Sequence, residues 1–201
     1  MSLHIALLLV FTIAMVNRTS NGEDNVPKET YVLDFSSPRA VEDWRVVNDG
    51  VMGGISTSRI RETSGGTAVF EGHLSLENNG GFASVRTGLN DLDLSEYEGI
   101  AIRARGDGRT YQVRLRTNRR FDGVTYRALL VTRPDQWTIV RVPFSDFEPT
   151  YRGRILRGVE PLDTARLQQL ALMVADKKDG PFRIEIEWVK AFVEDSTSRS
   201  R

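Results

Sequence analysis

Residues 48–54 read Asn-Asp-Gly-Val-Met-Gly-Gly and follow Trp44 closely. Three glycines beside an Asn-Asp pair predict a tight, irregular loop, because these residues tolerate positive φ and Asx side chains bond their own backbone. One interpretation is a strand connection whose glycines allow turning and close packing. The other is a contact surface that uses Asn48, Asp49 and Met52, since a thioether adapts to varied partners. Met52 is equally suited to filling the core.

Segments of alternating polarity surround this loop, at residues 31–35, 67–77, 111–116, 137–142 and 182–188. A period of two is typical of a strand with one buried face. The continuous apolar run at 170–175 predicts a central strand. Helix signals are few, and only 41–44 and 162–168 suggest a turn or two. About ten short strands separated by turn residues predict an all-β sandwich or barrel.

Further blocks follow in a fixed order at residues 70–72, 74–86, 106–111, 137–144, 151–154 and 176–182. With residues 48–54 they resemble the complex I intermediate-associated protein 30 (CIA30) family, and the resemblance covers about residues 31–193. It implies an all-β jelly-roll β-sandwich similar to galactose-binding-like domains. It also implies a non-enzymatic assembly factor whose protein partners are immature subunits of respiratory complex I.

Composition excludes several kinds of site. The chain of 201 residues has a formal net charge of zero, so no global field points to nucleic acid. It has no cysteine, and His73 accompanies only His4 of the leader. A disulfide, a thiolate metal site and a multi-histidine zinc site therefore cannot form. The sequence contains no dinucleotide or phosphate-loop fingerprint, and we expect no cofactor and no catalytic residue.

Acid pairs were considered as calcium ligands. They are Asp91 with Asp93 and Asp176 with Asp179. Neither pair matches a loop of defined ligand spacing, so ordinary turns are favoured and no metal site is expected.

A strongly basic block lies at residues 101–133. It holds nine arginines and two aspartates, a net charge of +7 in a neutral chain. Two pairs of these arginines each share one strand face: Arg103 with Arg105, and Arg114 with Arg116. If those two strands are neighbours, four guanidinium groups project from one sheet face and suit carboxylates or phosphates. The alternative is a solvated face whose arginines pair with Glu185 and Glu187.

Residues 78–82 read Asn-Asn-Gly-Gly-Phe and have two interpretations. Asn-Gly is a strong hairpin signal. Otherwise the segment forms a sugar-like polar site, with Asn78 and Asn79 bonding hydroxyls and Phe82 stacking. Together with the arginine face, this supports an alternative function: an exported carbohydrate-binding-like module for an acidic glycan.

The ends of the chain predict targeting and linkers. Residues 5–16 are apolar but shorter than the about 20 residues that span a bilayer, and they are typical of the core of a signal peptide. We therefore expect residues 1–22 to be a leader or anchor, and the protein to be exported or membrane-anchored rather than mitochondrial. Membrane association is expected only through this leader. Residues 23–30 are predicted to be a linker, 31–193 the folded domain and 194–201 a flexible tail.

Overall fold

A computed structural model describes residues 28–120 and 122–194, and it contains thirteen strands. They are β1 (Glu29–Asp34), β2 (Arg45–Val46), β3 (Thr57–Glu62), β4 (Ala68–Leu74), β5 (Ala83–Leu92), β6 (Gly99–Gly106), β7 (Thr110–Arg116), β8 (Thr125–Val131), β9 (Trp137–Pro143), β10 (Glu148–Tyr151), β11 (Arg154–Ile155), β12 (Leu167–Val174) and β13 (Gly180–Phe192). Short 3-10 turns occupy Asp49–Met52, Glu77–Asn79, Phe144–Asp146 and Thr164–Arg166. The first predicted segment, the leader at 1–22, lies outside the described residues, and β1 begins inside the predicted linker.

The strands form two antiparallel sheets that pack face to face. Sheet A has the order β3-β4-β13-β6-β9, and β1 also pairs with β13. Sheet B has the order β11-β10-β8-β7-β12-β5-β2. The chain passes repeatedly from one sheet to the other, which makes the architecture a jelly-roll β-sandwich. This confirms the predicted all-β fold.

Alternating side chains build the shared core. In β7, Tyr111, Val113 and Leu115 are buried, and they pair across the sheet with buried residues of β12. The Phe70 ring of sheet A packs 4.9 Å from the Phe182 ring. Each such side chain contributes about 1.5–3 kcal/mol by leaving water. β12 lies between β7 and β5, which confirms that the apolar run predicts a central strand.

The alternation fails in the middle of β13. The register with β6 shifts between Ile186 and Trp188. One extra residue at a β-bulge moves the following side chains to the opposite face. Val189 is therefore buried, and Trp188 turns outward to contact the Lys190 ammonium at 4.7 Å. The prediction that Trp188 continues the buried face is wrong.

Two local predictions also need correction. The described residues contain no α-helix: 164–166 is a single 3-10 turn, after which β12 begins at Leu167. The hairpin expected at 78–82 is absent, because β4 belongs to sheet A and β5 to sheet B. Asn78 and Asn79 take left-handed conformations that turn the chain between sheets. Within the described ranges, no helix has the length and apolar character needed to cross a membrane.

Candidate functional site

A row of charged residues crosses the outer face of sheet B. Side chains at matching register positions on adjacent antiparallel strands point to the same face. The strand pairing places six residues side by side in the order Arg45, Arg86, Ala171, Arg114, Arg127 and Glu148. Four of the six are arginines.

A small cleft lies at the centre of this row. Its lining residues are Ser84, Arg86, Arg114, Arg116, Thr125, Gln169, Ala171 and Met173. None of these eight described residues carries a carboxylate. Arg86 and Arg114 lie two strands apart, about 10 Å at the usual strand spacing. Ala171 stands between them, so its methyl group leaves room above the sheet.

Arg114 is the most enclosed cation of the cleft. Its Nη1 lies 3.3 Å from the Met173 sulfur, and its Nη2 donates to the Thr150 hydroxyl at 3.1 Å. Its Nε is buried and has no hydrogen-bond partner. Burial lowers the pKa of Arg114 to about 10, and the positive charges of Arg116, Arg127 and Arg86 act in the same direction.

The neighbouring arginines share this environment. Burial lowers the pKa of Arg86, assisted by the charge of Arg116, and burial also lowers the pKa of Arg116. All these groups still carry their charge at neutral pH. The cleft therefore holds several cations in mutual repulsion, and a bound anion would relieve it.

Acidic residues near the cleft stand at its margins and are already paired. Glu148 accepts from Arg127 at 3.2 Å. Asp91 pairs with Arg119 at 3.0 Å. Asp122 pairs with Arg152 at 2.7 Å. These pairs leave the centre of the cleft positive.

The other predicted arginines lie elsewhere. β6 and β7 belong to different sheets, so the expectation of four arginines on one face is wrong. Arg103 pairs with Glu187, and Arg105 donates to Glu185 at 2.8 Å. Both guanidinium groups also lie over the Trp137 ring. For these two arginines, the alternative of pairing with Glu185 and Glu187 is confirmed.

Residues 48–54 form a loop organised around one buried acid. Asp49 is fully buried. Its carboxylate accepts from the Ser56 amide and hydroxyl at 3.0 and 2.6 Å, from the Gly81 amide at 2.7 Å and from the Phe82 amide at 3.3 Å. Burial raises the pKa of Asp49, but these bonds outweigh it and hold the pKa below the ordinary aspartate value. Asp49 thus ties the loop to the turn at 78–82.

The glycines of this loop serve close packing. A Cβ at Gly54 would overlap the Asp49 carboxyl group. The Asn48 side chain accepts from the Ser58 hydroxyl at 2.8 Å and from the Ser84 amide at 3.2 Å. Because Ser84 lines the cleft, the loop borders the cleft on one side.

The remaining predicted contact residues lie on the surface around this loop. Met52 is 59% exposed, so it does not fill the core. Asn78 and Asn79 are exposed, and Phe82 is half-buried. The structure brings Phe82 and the loop together through Asp49, whereas Met52 points to solvent beside exposed Val51.

Sequence reasoning missed two arginines of the row, Arg86 and Arg127. Arg86 alternates with buried Val85 in β5, and that alternation at 83–87 is the signal that could have revealed it. Arg127 was counted in the basic block but not assigned to a face. The excluded metal sites stay without support, since the described residues hold no group of three metal-ligating side chains.

Solved structures with a similar fold include carbohydrate-binding proteins. A family 11 carbohydrate-binding module from Clostridium thermocellum, in complex with a β-1,3-1,4-mixed-linked tetrasaccharide, matches with a TM-score of 0.62 and 18% identity. The match covers 82% of this chain and 95% of the module. An agarase matches with a TM-score of 0.57 and 12% identity over 84% of this chain and 25% of the enzyme. At these identities the likeness shows the fold alone.

Curated relatives are similar over most of the chain. The mitochondrial complex I intermediate-associated protein 30 of Drosophila melanogaster is 32% identical, covering 81% of this chain and 63% of that protein. The Mus musculus protein of the same name is 24% identical, covering 86% and 61%. This chain therefore spans about three fifths of the length of these two relatives.

These names correct the prediction about localisation. The relatives from Drosophila, mouse and Neurospora crassa are all described as mitochondrial. They point to mitochondria rather than export, so the prediction of an exported or membrane-anchored protein is wrong. It rested on the apolar residues 5–16, whose composition alone does not specify a compartment.

The family assignment rests on a direct match. The description of that family is complex I intermediate-associated protein 30, and the match runs over residues 33–186. This span includes both sheets, the loop around Asp49 and all the residues that line the cleft. The chain belongs to the CIA30 family.

Proposed function

We propose that this chain is a non-enzymatic binding domain that acts in the assembly of respiratory complex I by contacting subunits of its assembly intermediates. The observation that carries this proposal is the family match over residues 33–186. The names of the relatives from Drosophila and mouse support the same role.

The surface of the domain supports protein contacts in two places. Val51 and Met52 project from the loop around Asp49, and they are 64% and 59% exposed. The bonds to Asp49 hold this loop in shape, so its apolar side chains are presented without a large ordering cost. The basic cleft of sheet B lies beside it and offers charge complementarity to an acidic surface.

The alternative of a carbohydrate-binding module has weaker support. It depends on a fold likeness at 18% identity. The residues that line the basic cleft include no aromatic ring on which a sugar could stack. A glycan would therefore depend on charge and hydrogen bonds alone in this cleft.

A capture experiment tests the proposal. The tagged full chain would be incubated with detergent-solubilised mitochondrial membranes, cross-linked and analysed by quantitative mass spectrometry. The matched control is the family 11 carbohydrate-binding module, which has a similar fold and belongs to a different class of protein. We expect complex I subunits to be enriched with this chain over the control. Equal recovery from both baits would contradict the proposal.

A second test asks for function in the cell. The chain would be expressed in cells that lack their own member of the family, and assembled complex I would be measured on native gels. We expect recovery of the assembled complex. If glycan arrays show binding while neither capture nor recovery occurs, the carbohydrate-binding alternative is the correct one.

A further inference from the structure

We propose that the basic cleft of sheet B is the docking site for an acidic protein segment, with one carboxylate seated over Ala171 between Arg86 and Arg114. The proposal rests on the proposed function as a protein-binding domain and names the chemistry of the partner. It assigns a role to side chains that neither sheet packing nor the core requires.

The in-register row supplies the geometry. Arg86 and Arg114 flank Ala171 on the two neighbouring strands. The small side chain between two long ones creates a position that both guanidinium groups can reach from opposite sides. Planar guanidinium groups bind carboxylates with two parallel hydrogen bonds, which fixes the orientation of the bound group.

Arg114 has donors to spare for such a ligand. Its Nη atoms contact a neutral hydroxyl and a thioether, and its buried Nε has no partner. The Nε of Arg127 is likewise buried and without a partner. Arg105 on sheet A differs, because its Nη2 already bonds the Glu185 carboxylate. A buried donor left without an acceptor is costly, and a ligand carboxylate would supply one.

An apolar strip on the same face indicates what else the partner carries. Leu129 and Val131 follow Arg127 on the outer face of β8 and are 55% and 61% exposed. They lie about 7 and 13 Å from Arg127 along the strand. A segment with an acidic residue and an apolar residue two to four positions away would satisfy both features.

The margins of the cleft favour a short acidic segment over an extended polyanion. Asp91, Asp122 and Glu148 stand around it. Their negative charges oppose a nucleic acid or a charged membrane surface, which would have to cross them. A single carboxylate with apolar neighbours avoids them.

Peptide binding tests this inference directly. A short labelled peptide that alternates Glu with Leu would be titrated with the full chain by fluorescence anisotropy. The control peptide has Gln in place of Glu. We expect only the Glu peptide to bind, and its affinity to fall as salt is raised, because the contacts are ionic.

Variants locate the binding on the protein. Arg114→Gln should weaken the Glu peptide about tenfold or more, and Arg114→Lys should fall between, since it keeps the charge and loses the fork. Arg59→Gln on sheet A is the matched control, and it should bind as the unaltered chain does. Ala171→Glu places a carboxylate of the protein itself in the cleft and should abolish peptide binding. It keeps the test decisive if Arg114→Gln folds poorly.

Several outcomes overturn the inference. They are equal binding of both peptides, unchanged binding by Arg114→Gln, or cleft-dependent binding of vesicles containing phosphatidylserine without peptide binding. Capture from mitochondrial membranes separates the two proposals. If Arg114→Gln recovers complex I subunits as well as the unaltered chain, the cleft inference fails and the proposed function stands. If the unaltered chain recovers none while the peptide results hold, the proposed function fails and the acidic-peptide site stands.

Discussion

The two outer faces of the sandwich both carry arginines on strands, but only one of them also carries matching acids. On sheet A, Glu71 accepts from Arg59, Arg61 and Arg183 at 2.7–3.1 Å. On the same face Glu185 accepts from Arg105 and Arg183. On sheet B, four arginines share one row, and Glu148 at its end is the one carboxylate in that row.

The difference teaches how to interpret an arginine-rich strand. On sheet A the charges neutralise one another, so the arginines contribute to stability. On sheet B they are half-buried and repel one another, which lowers stability unless an anion is bound. Groups that lower stability in this way are common at functional sites. Cross-strand neighbours, rather than the number of arginines, separate the two cases.

The largest expected effect comes from removing an acid of sheet A. Glu185→Gln should lower the free energy of unfolding by about 2 kcal/mol, because a largely buried carboxylate loses two charged hydrogen-bond donors. Glu148→Gln at the end of the sheet B row is the control and should cost less than about 1 kcal/mol. Chemical denaturation measures both. Equal effects would remove the contrast between the faces.

Acid should erase the same contribution. Burial raises the pKa of Glu185, but the bonds from Arg105 and Thr67 outweigh it, and its pKa lies below the ordinary glutamate value. For a carboxyl with a lowered pKa, the stabilisation is complete above the unfolded pKa of about 4.3 and is lost as pH falls through the folded pKa. The stability difference between the unaltered chain and Glu185→Gln should therefore shrink below about pH 4. A difference that persists to pH 2 contradicts this assignment.

A smaller effect is expected from giving sheet B the acid that it lacks. Ala171→Glu should raise the free energy of unfolding by about 1 kcal/mol, because the new carboxylate lies between Arg86 and Arg114. Ala171→Gln has nearly the same shape without the charge and serves as the control. Thermal denaturation of the two variants isolates the charge. If both variants change stability equally, the cleft is not under electrostatic strain.

The smallest effect is a gain from removing a cation. Arg114→Gln should raise the free energy of unfolding by about 0.5 kcal/mol, since relief of repulsion and burial exceeds the lost bond to Thr150. Arg105→Gln on sheet A should instead lower it, because Glu185 loses a partner. Opposite signs in denaturant titrations would support the contrast. A loss in both variants would show that Arg114 is a structural residue.

Sequence patterns predicted which residues face the core but not which strands are partners. Tyr111, Val113 and Leu115 were assigned correctly because alternation is a local property. The turn at 106–109 was ambiguous, since a glycine-rich turn serves a hairpin as well as a crossing between sheets. The crossing separates Arg105 from Arg114. Pairing depends on distant strands, and a single sequence does not encode it visibly.

The site was predicted in part for the same reason. Arg114 and Arg116 were recognised as outward-facing candidates, and both line the cleft. Arg86 was missed because it lies outside the basic block and joins the row only through β12. Asp49 was recognised as part of an important loop, but its bonds to Gly81 and Phe82 reach across about 30 residues of chain. Such contacts are set by tertiary structure.

The position of β13 has a consequence for how the domain is made. β13 pairs with β4, with β6 and with β1, so it joins every part of sheet A. All those strands precede it in the chain and leave the ribosome first. Until residues 180–192 are synthesised, sheet A exists only as separate pairs and a lone strand. The domain therefore completes its fold at the end of synthesis, and a premature stop just before Gly180 should be as damaging as one far upstream.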